Sequence, residues 1–223
     1  TGSCYSKEDM EGLAEVLRKH PKVLILSDEI YEYIVFDEEH VSLINVAPDL
    51  KDRVMLINGF SKGFAMTGWR LGYLAATNEI VGAVSKIQSQ ETSAPSTISQ
   101  KAGEAAYNGD LTEVHTMRDE FKKRRDFMVS SLNAIEGVSC FTPGGAFYVF
   151  PDISHYLGTT KPDGATIDTS TDLCLYLLDE YGLAVVPGDA FGEPNGLRMS
   201  YAAAVSDLEE ALSRFKKGLE SLS

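Results

Sequence analysis

Cysteine is scarce in this sequence and follows no recognisable pattern. Only three cysteines occur in 223 residues, Cys4, Cys140 and Cys174. Their odd number and wide separation predict neither a disulfide framework nor a metal site. We therefore expect reduced thiols in an intracellular compartment, the cytoplasm in the first place, with a plastid or another organelle as an open alternative.

Long apolar runs and positive charge are also in short supply. No run approaches the ~20 apolar residues that a transmembrane helix needs, so we predict no membrane span. Lys and Arg total 20 against 33 Asp and Glu, a formal net charge of -13. This balance argues against nucleic-acid or anionic-membrane partners. The four histidines are scattered without metal-ligand spacing, and we predict surface or capping roles for them and no metal: His20, His40, His115 and His155.

One lysine stands among small and apolar residues directly after a strand-like run. The segment 59–72 reads GFSKGFAMTGWRLG, with Lys62 near its start and Arg70 near its end. A lysine held away from bulk water becomes available as a nucleophile toward a carbonyl. A nearby guanidinium matches phosphate oxygens two at a time. An aldehyde that carries a phosphate, such as pyridoxal 5'-phosphate, would satisfy both groups, although such a lysine on its own is more often a solvated loop residue.

An aspartate occupies the corresponding position after an earlier strand. The apolar runs 23–26 and 54–58 predict strands buried on both faces of a parallel sheet. Ligand sites in such sheets lie beyond the carboxyl ends of the strands, where Asp28 and Lys62 fall. Asp28 could hold a pyridine nitrogen protonated, which makes the ring an electron sink, and the phenol of Tyr31 could donate to the ring's 3'-oxygen. A helix N-cap is an equally open role for Asp28.

A second arginine lies in a strand-like segment near the C-terminus. Residues 197–201 read LRMSY, which alternates and follows glycine-rich turns, so we predict a short strand. An arginine that points inward from such a strand needs an anion, and a carboxylate bound through two hydrogen bonds is the usual one. The alternative for Arg198 is an ion pair at the surface.

These segments together resemble the class I/II aminotransferases, pyridoxal-phosphate enzymes of fold type I. The nearest subgroup contains bacterial aspartate aminotransferases and plant-type bifunctional aspartate/prephenate aminotransferases. The lysine segment is highly specific, and the order and spacing of the others add to it. The resemblance runs from Thr1 to the C-terminus and is carried by SDEIY at 27–31, the segment 59–72, PGGAFYVF at 143–150, and VPGDAFG at 186–192 with LRMSY at 197–201.

The resemblance implies an α/β fold in two parts. Residues 1–110 would form the C-terminal half of the large cofactor-binding domain, a mostly parallel sheet with flanking helices. Residues 111–223 would form the small α+β C-terminal domain, linked by a long helix near 112–135. The family also implies a homodimer that acts on small molecules, an L-amino acid and a 2-oxo acid, with Arg198 binding the substrate α-carboxylate.

The resemblance also assigns roles toward pyridoxal 5'-phosphate. Lys62 would be the Schiff-base lysine and the general base and acid of transamination. Asp28 would pair with the ring nitrogen, and Tyr31 would tune the ring oxygen. Arg70 would bind the phosphate, with Ser61 as a weaker candidate. Many relatives carry a hydroxyl residue three positions before the lysine, where this sequence has Gly59, so one phosphate contact is expected to be lost or supplied elsewhere.

The resemblance further predicts that the sequence is partial. It opens at Thr1-Gly2, whereas in the family an Asn-Pro pair precedes this dipeptide and the asparagine contacts cofactor and substrate. The family's phosphate loop and the residues that read the substrate side chain also lie upstream. We therefore expect that this chain alone does not complete a site.

Several functions stay open at this point. Aspartate with 2-oxoglutarate is the first expectation, and a prephenate aminotransferase that forms arogenate is the nearest alternative. A lyase or aminocyclopropane-type synthase of the same fold would use the same lysine and aspartate. Two further options remain. One is an inactive fragment that associates with a partner chain, and the other is an aminotransferase-like sensor domain fused to a DNA-binding domain.

Capping signals and periodicity predict most of the helices. Ser6 with Asp9 opens a helix that ends at His20, and Ser206 with Glu209 forms a capping box for the last helix. Gly182 is expected to end a helix at 170–181. Other expected elements are a strand at 71–76, a helix capped by Asn78, and short strands near 138–141 and 147–151.

Overall fold

The computed structural model describes all residues, 1–223, and forms two compact units. One comprises Cys4–Arg118, and the other comprises Thr1–Ser3 with Asp119–Ser223. The helices are α1 Lys7–Lys19, α2 Leu43–Val46, α3 Asn78–Glu91, α4 Thr97–Asn108, α5 Thr112–Asn133, α6 Ser170–Tyr181 and α7 Val205–Glu220. The strands are β1 Ile25–Asp28, β2 Val54–Gly59, β3 Gly72–Ala75, β4 Tyr148–Val149, β5 Val186–Pro187 and β6 Leu197–Ser200. None of these helices combines the length and the apolar character that a membrane span requires.

The first unit is built on a three-stranded sheet in the order β1-β2-β3. Strands β1 and β2 run parallel, with Asp28 opposite Ile57, and β3 returns antiparallel to β2, with Gly72 opposite Gly59. A small core packs α1 and α2 against the sheet: Ala14, Leu43, Ala47, Leu50 and Val54. The mixed α/β architecture agrees with the predicted fold class.

The prediction that β1 is buried on both faces is wrong for this chain. Its residues alternate between half-buried and exposed, and Leu26 is 62% exposed. The preceding Val23 and Leu24 are also exposed. Strand β1 is at the edge of the sheet, and only one of its two faces is covered by other residues of this chain.

The second unit holds a second small sheet in the order β4-β6-β5, all antiparallel. Helices α6 and α7 pack together, and their apolar stripes supply much of this core. The fully buried side chains there include Leu173, Leu177, Leu197, Tyr201, Phe215 and Leu219. The predicted strand near 138–141 is reduced to a single bridge between Ser139 and Asp152.

Two of the four predicted helix caps are present in the structure, and two are wrong. Ser6 and Asp9 form the predicted capping box at the start of α1. Gly182 ends α6 with φ +61°, a left-handed conformation that costs glycine little. The box at Ser206 is wrong, because α7 begins after Ala204 and Ser206 therefore lies inside its first turn. Asn78 likewise begins α3 rather than capping it; the capping position is Thr77.

Candidate active site

The first unit gathers two of the predicted site residues at one edge of its sheet. Asp28 is the last residue of β1, and β2 ends at Gly59, shortly before Lys62. Because β1 and β2 are parallel, their carboxyl ends meet at the same edge. The alternation of side chains sends Asp28 outward, where it is exposed, while the next residue, Glu29, is buried.

Asp28 has no ionic partner. Its carboxylate accepts one hydrogen bond, from the backbone N–H of Ile30 at 3.2 Å. The chain then turns through Tyr31, which is half-buried, with the Ile34 N–H donating to the Tyr31 carbonyl at 2.8 Å. The bond to Ile30 is a local turn, so the carboxylate keeps further acceptor capacity at the edge of the sheet.

Lys62 lies half-buried in a tight turn, 61–64, that also contains Ser61. The turn is held by aromatic packing that the sequence did not reveal. The Phe64 ring lies 5.5 Å from Phe60 and 5.1 Å from Tyr33, while Phe60 lies 4.8 Å from Tyr107, measured between ring centroids. The Tyr33–Phe64 and Phe60–Tyr107 pairs meet edge to face and the Phe60–Phe64 pair is tilted, and such contacts fix ring orientation, so the lysine is presented on a rigid support.

Two glycines in this segment have no room for a side chain. A Cβ at Gly63 would stand 2.7 Å from the Tyr33 ring, and a Cβ at Gly59 would stand 2.9 Å from the Gly72 Cα and the Leu71 carbonyl oxygen. A hydroxyl residue at Gly59 would therefore require β2 and the segment before β3 to move apart, and glycine suits the close approach of the two strands in this chain.

The loop after Lys62 is strained at two residues that are not glycine. Ala65 and Arg70 have φ of 53° and 52°, in the left-handed region. Such conformations cost of order 1–2 kcal/mol for a residue with a Cβ and cluster at ligand-binding loops. The Arg70 guanidinium donates to the Thr67 carbonyl at 2.8 Å and has no carboxylate partner.

The donor set at this edge has a consistent chemistry. It combines an amine on Lys62, an acceptor carboxylate on Asp28, and a guanidinium on Arg70 that no carboxylate neutralises. An amine binds a carbonyl, a carboxylate pairs with a protonated ring nitrogen, and a guanidinium binds a phosphate. The residues present therefore fit a phosphorylated aldehyde with a basic ring nitrogen.

A buried carboxylate beneath this edge was missed by sequence reasoning. The Glu29 side chain accepts hydrogen bonds from Ser27 at 2.9 Å and Ser42 at 2.7 Å, and it contacts His40 Nε2 at 2.9 Å. Burial raises the pKa of Glu29, but these three partners outweigh it and leave the pKa below its usual value. Burial instead raises the pKa of the neighbouring Glu32 carboxyl.

The histidine expectation holds for His40, which is exposed. Its ring has a further contact that the sequence did not predict, because Nε2 reaches the buried Glu29 carboxylate. The ligand atoms of Glu29, Glu32 and His40 lie within 4.8 Å of one another. The hydrogen bonds from Ser27 and Ser42, with the His40 contact, account for the buried charge of Glu29 without an ion.

The second unit presents Arg198 on β6, the central strand of its sheet. Arg198 is half-buried and makes no salt bridge or hydrogen bond. Its guanidinium carbon instead lies over two aromatic rings, 4.6 Å from the centroid of Tyr148 and 4.3 Å from that of Phe191. The surface ion pair, which was the alternative for Arg198, is absent, and the N–H donors of Arg198 are available to an anion.

Comparison with known proteins gives a consistent family. The family model described as aminotransferase class I and II matches residues 1–215. A Petunia hybrida protein named bifunctional aspartate aminotransferase and glutamate/aspartate-prephenate aminotransferase is 47% identical, covering 100% of this chain and 47% of that protein. An aspartate aminotransferase of Rhizobium meliloti strain 1021 is 45% identical, and the alignment covers 100% of this chain and 55% of that protein.

Solved structures agree with the sequence relatives. The crystal structure of the aspartate aminotransferase from Rhizobium meliloti matches with a TM-score of 0.97 and 44% identity, covering 100% of this chain and 56% of that one. The aspartate aminotransferase from Thermotoga maritima matches with a TM-score of 0.85 and 38% identity, covering 99% and 54%. The chain therefore spans about half the length of the relatives it matches.

Proposed function

Because the chain belongs to the class I and II aminotransferase family, we propose that it is part of an aminotransferase that uses pyridoxal 5'-phosphate. The reaction would move an amino group between an L-amino acid, aspartate or glutamate, and a 2-oxo acid. The observation that carries this proposal is the end-to-end match to aspartate aminotransferases. The donor set formed by Lys62, Asp28 and Arg70 supports it from the geometry.

We assign the cofactor-holding roles to the first unit. The Lys62 amine would bind the cofactor carbonyl, and Asp28 would hold its ring nitrogen protonated. Tyr31, in the turn beyond Asp28, would donate to the ring oxygen. Arg70 and, more weakly, Ser61 would bind the phosphate. When bound, the cofactor supplies a cationic ring that withdraws electrons from the substrate Cα.

The proton transfers fall to Lys62. Its Nζ would remove the proton from the substrate Cα as a general base and deliver it as a general acid to the carbonyl carbon of the cofactor. The amino group would stay on the cofactor when the oxo acid leaves, and the reverse sequence would pass that amino group to a second oxo acid. The packed aromatic support of the 61–64 turn would keep this amine in one place between the two transfers.

Arg198 would bind the substrate α-carboxylate. A half-buried guanidinium without a carboxylate partner is a ready site for an anion, and its planar fork matches a carboxylate in two hydrogen bonds. The first unit would then be the C-terminal part of the large domain and the second unit the small domain. We also propose that the full-length protein is a homodimer, as the resemblance implies.

Prephenate is the second candidate amino acceptor. The specific observation that favours it is the name of the Petunia relative, which includes a glutamate/aspartate-prephenate aminotransferase activity. The two activities share every residue assigned above, so the choice between them depends on contacts to the distal part of the substrate. Aspartate with 2-oxoglutarate stays the first proposal, because the structural matches bear that name.

The test uses the full-length protein, loaded with pyridoxal phosphate. Formation of oxaloacetate from aspartate is measured with 2-oxoglutarate as the acceptor and, in a parallel assay, with prephenate as the acceptor. Lys62→Ala should abolish both activities, whereas Lys86→Ala, at an exposed lysine of α3, should leave them unchanged. Full activity in Lys62→Ala would contradict the assignment. Ammonia release without any oxo-acid acceptor would favour the lyase alternative.

A further inference from the structure

Arg198 contacts two aromatic rings, whereas a half-buried arginine ordinarily pairs with an acidic residue. The chain carries 33 acidic against 20 basic residues, yet no carboxylate reaches this half-buried guanidinium. The Tyr148 and Phe191 ring centroids lie 4.6 and 4.3 Å from its central carbon. Ring faces attract a guanidinium through their negative quadrupoles and use none of its N–H donors.

The two rings reach Arg198 from different sides of its strand. Tyr148 belongs to β4 on one side of β6, and Phe191 ends the 3-10 turn Gly188–Phe191 that follows β5 on the other side. Phe191 is supported in turn by the buried Phe150, with ring centroids 6.0 Å apart and planes at 83°. The guanidinium is therefore oriented by two supports built into the sheet rather than by a salt bridge.

This arrangement affects the free energy of anion binding. A resident carboxylate would have to be displaced before a substrate carboxylate could bind, and its charge would repel the newcomer. Rings hold the guanidinium plane without that competition, and a side chain that is already oriented loses less conformational entropy when a ligand arrives. The five N–H groups stay available for the incoming anion.

We propose that Tyr148 and Phe191 are positioning residues that keep Arg198 as a preformed receptor for the substrate carboxylate. The proposal rests on the proposed function and deepens it, because it says how this chain prepares one end of the substrate site. Both rings act through Arg198 and not on the reacting atoms. Their loss should therefore weaken the binding of amino acid and oxo acid alike and change the turnover rate little.

The test measures maleate binding to the full-length, cofactor-loaded protein by titration calorimetry, together with KM and kcat. Phe191→Leu should weaken maleate binding roughly 3- to 30-fold and raise KM for both substrates by a similar factor, with kcat little changed. The control is Phe141→Leu, because Phe141 is 46% exposed and Phe191 44% exposed in the same unit. It should leave maleate binding unchanged.

Ring-retaining variants separate positioning from general packing. Phe191→Tyr and Tyr148→Phe keep the ring faces and should bind maleate as tightly as the wild-type protein. Tyr148→Leu should weaken maleate binding, as Phe191→Leu does. Wild-type maleate binding by Phe191→Leu would overturn the positioning role and leave the aminotransferase proposal standing. Absence of both maleate binding and transamination in the wild-type protein would overturn both proposals, whereas absence of maleate binding alone would overturn only the positioning role. Arg198→Gln serves as the reference for complete loss.

Discussion

Glu29 is a residue of this site that the sequence analysis did not predict. It is a charged side chain with about 7% of its surface exposed, immediately beside the proposed cofactor ligand Asp28. Its contacts link β1, through Ser27, to residues 40–42 beyond the loop that contains Tyr31. A buried carboxylate with three partners is stable only while all of them are in place.

Replacement of Glu29 tests this network. Glu29→Gln should lower the free energy of unfolding by about 2 kcal/mol at pH 7, because it removes a charged hydrogen-bond acceptor. The folded-state pKa of Glu29 is depressed, so its stabilisation is complete above the unfolded pKa of about 4.3 and is lost as the pH falls through the lower folded value. Urea unfolding at several pH values measures both.

Glu32 supplies the contrasting control. Burial raises its pKa in the folded state, so its charged form opposes folding above that pKa. Glu32→Gln should therefore leave stability at pH 7 unchanged or increase it. Equal losses in Glu29→Gln and Glu32→Gln would contradict the different roles assigned to the two carboxylates.

Sequence reasoning could locate Asp28 and Arg198 but not Glu29 or the rings. Asp28 follows a strand-like run, and Arg198 lies at a polar position of an alternating strand-like segment, so both carry a local signal. The Glu29–His40 contact joins residues eleven positions apart across an irregular loop, and no periodicity encodes that closure. The contact of Phe191 with Arg198 depends in the same way on tertiary packing.

At the scale of elements, the strained loop between Lys62 and β3 is the feature with a measurable energy. Ala65→Gly should raise the free energy of unfolding by about 0.5 kcal/mol, because relief of a left-handed alanine exceeds the added entropy of the unfolded glycine. The matched control is Ala83→Gly in the exposed middle of α3, which should lower stability by about 1 kcal/mol. Urea unfolding compares the two, and destabilisation by Ala65→Gly would contradict the strain.

The elements themselves were predictable where local chemistry defines them. The capping box of α1, the glycine stop of α6 and the length of α5 follow from adjacent residues. The start of α7 was misplaced because Ser206 and Glu209 have capping-box spacing, although the capping position is Ala204, two residues earlier. The exposure of β1 was mispredicted because an apolar run does not say how many layers cover it.

At the scale of the whole molecule, all of this chain aligns with its relatives, and the aligned part is about half of each relative's length. Its two compact units carry complementary parts of the proposed chemistry. The first holds the residues assigned to the cofactor, and the second holds the arginine assigned to the substrate carboxylate. The lysine segment made the family recognisable from sequence, because the lysine, the glycines and the arginine must all occur at fixed positions in one short loop.

The central claim is that Lys62 is the lysine that binds the cofactor carbonyl. The most direct measurement is borohydride reduction of the full-length protein loaded with pyridoxal phosphate, followed by proteolysis and mass spectrometry of the lysine peptides. We predict one phosphopyridoxyl group, attached to the peptide that contains Lys62 and absent when the reduction follows addition of excess aspartate. Attachment at a different lysine, or no stable attachment at all, would contradict the account.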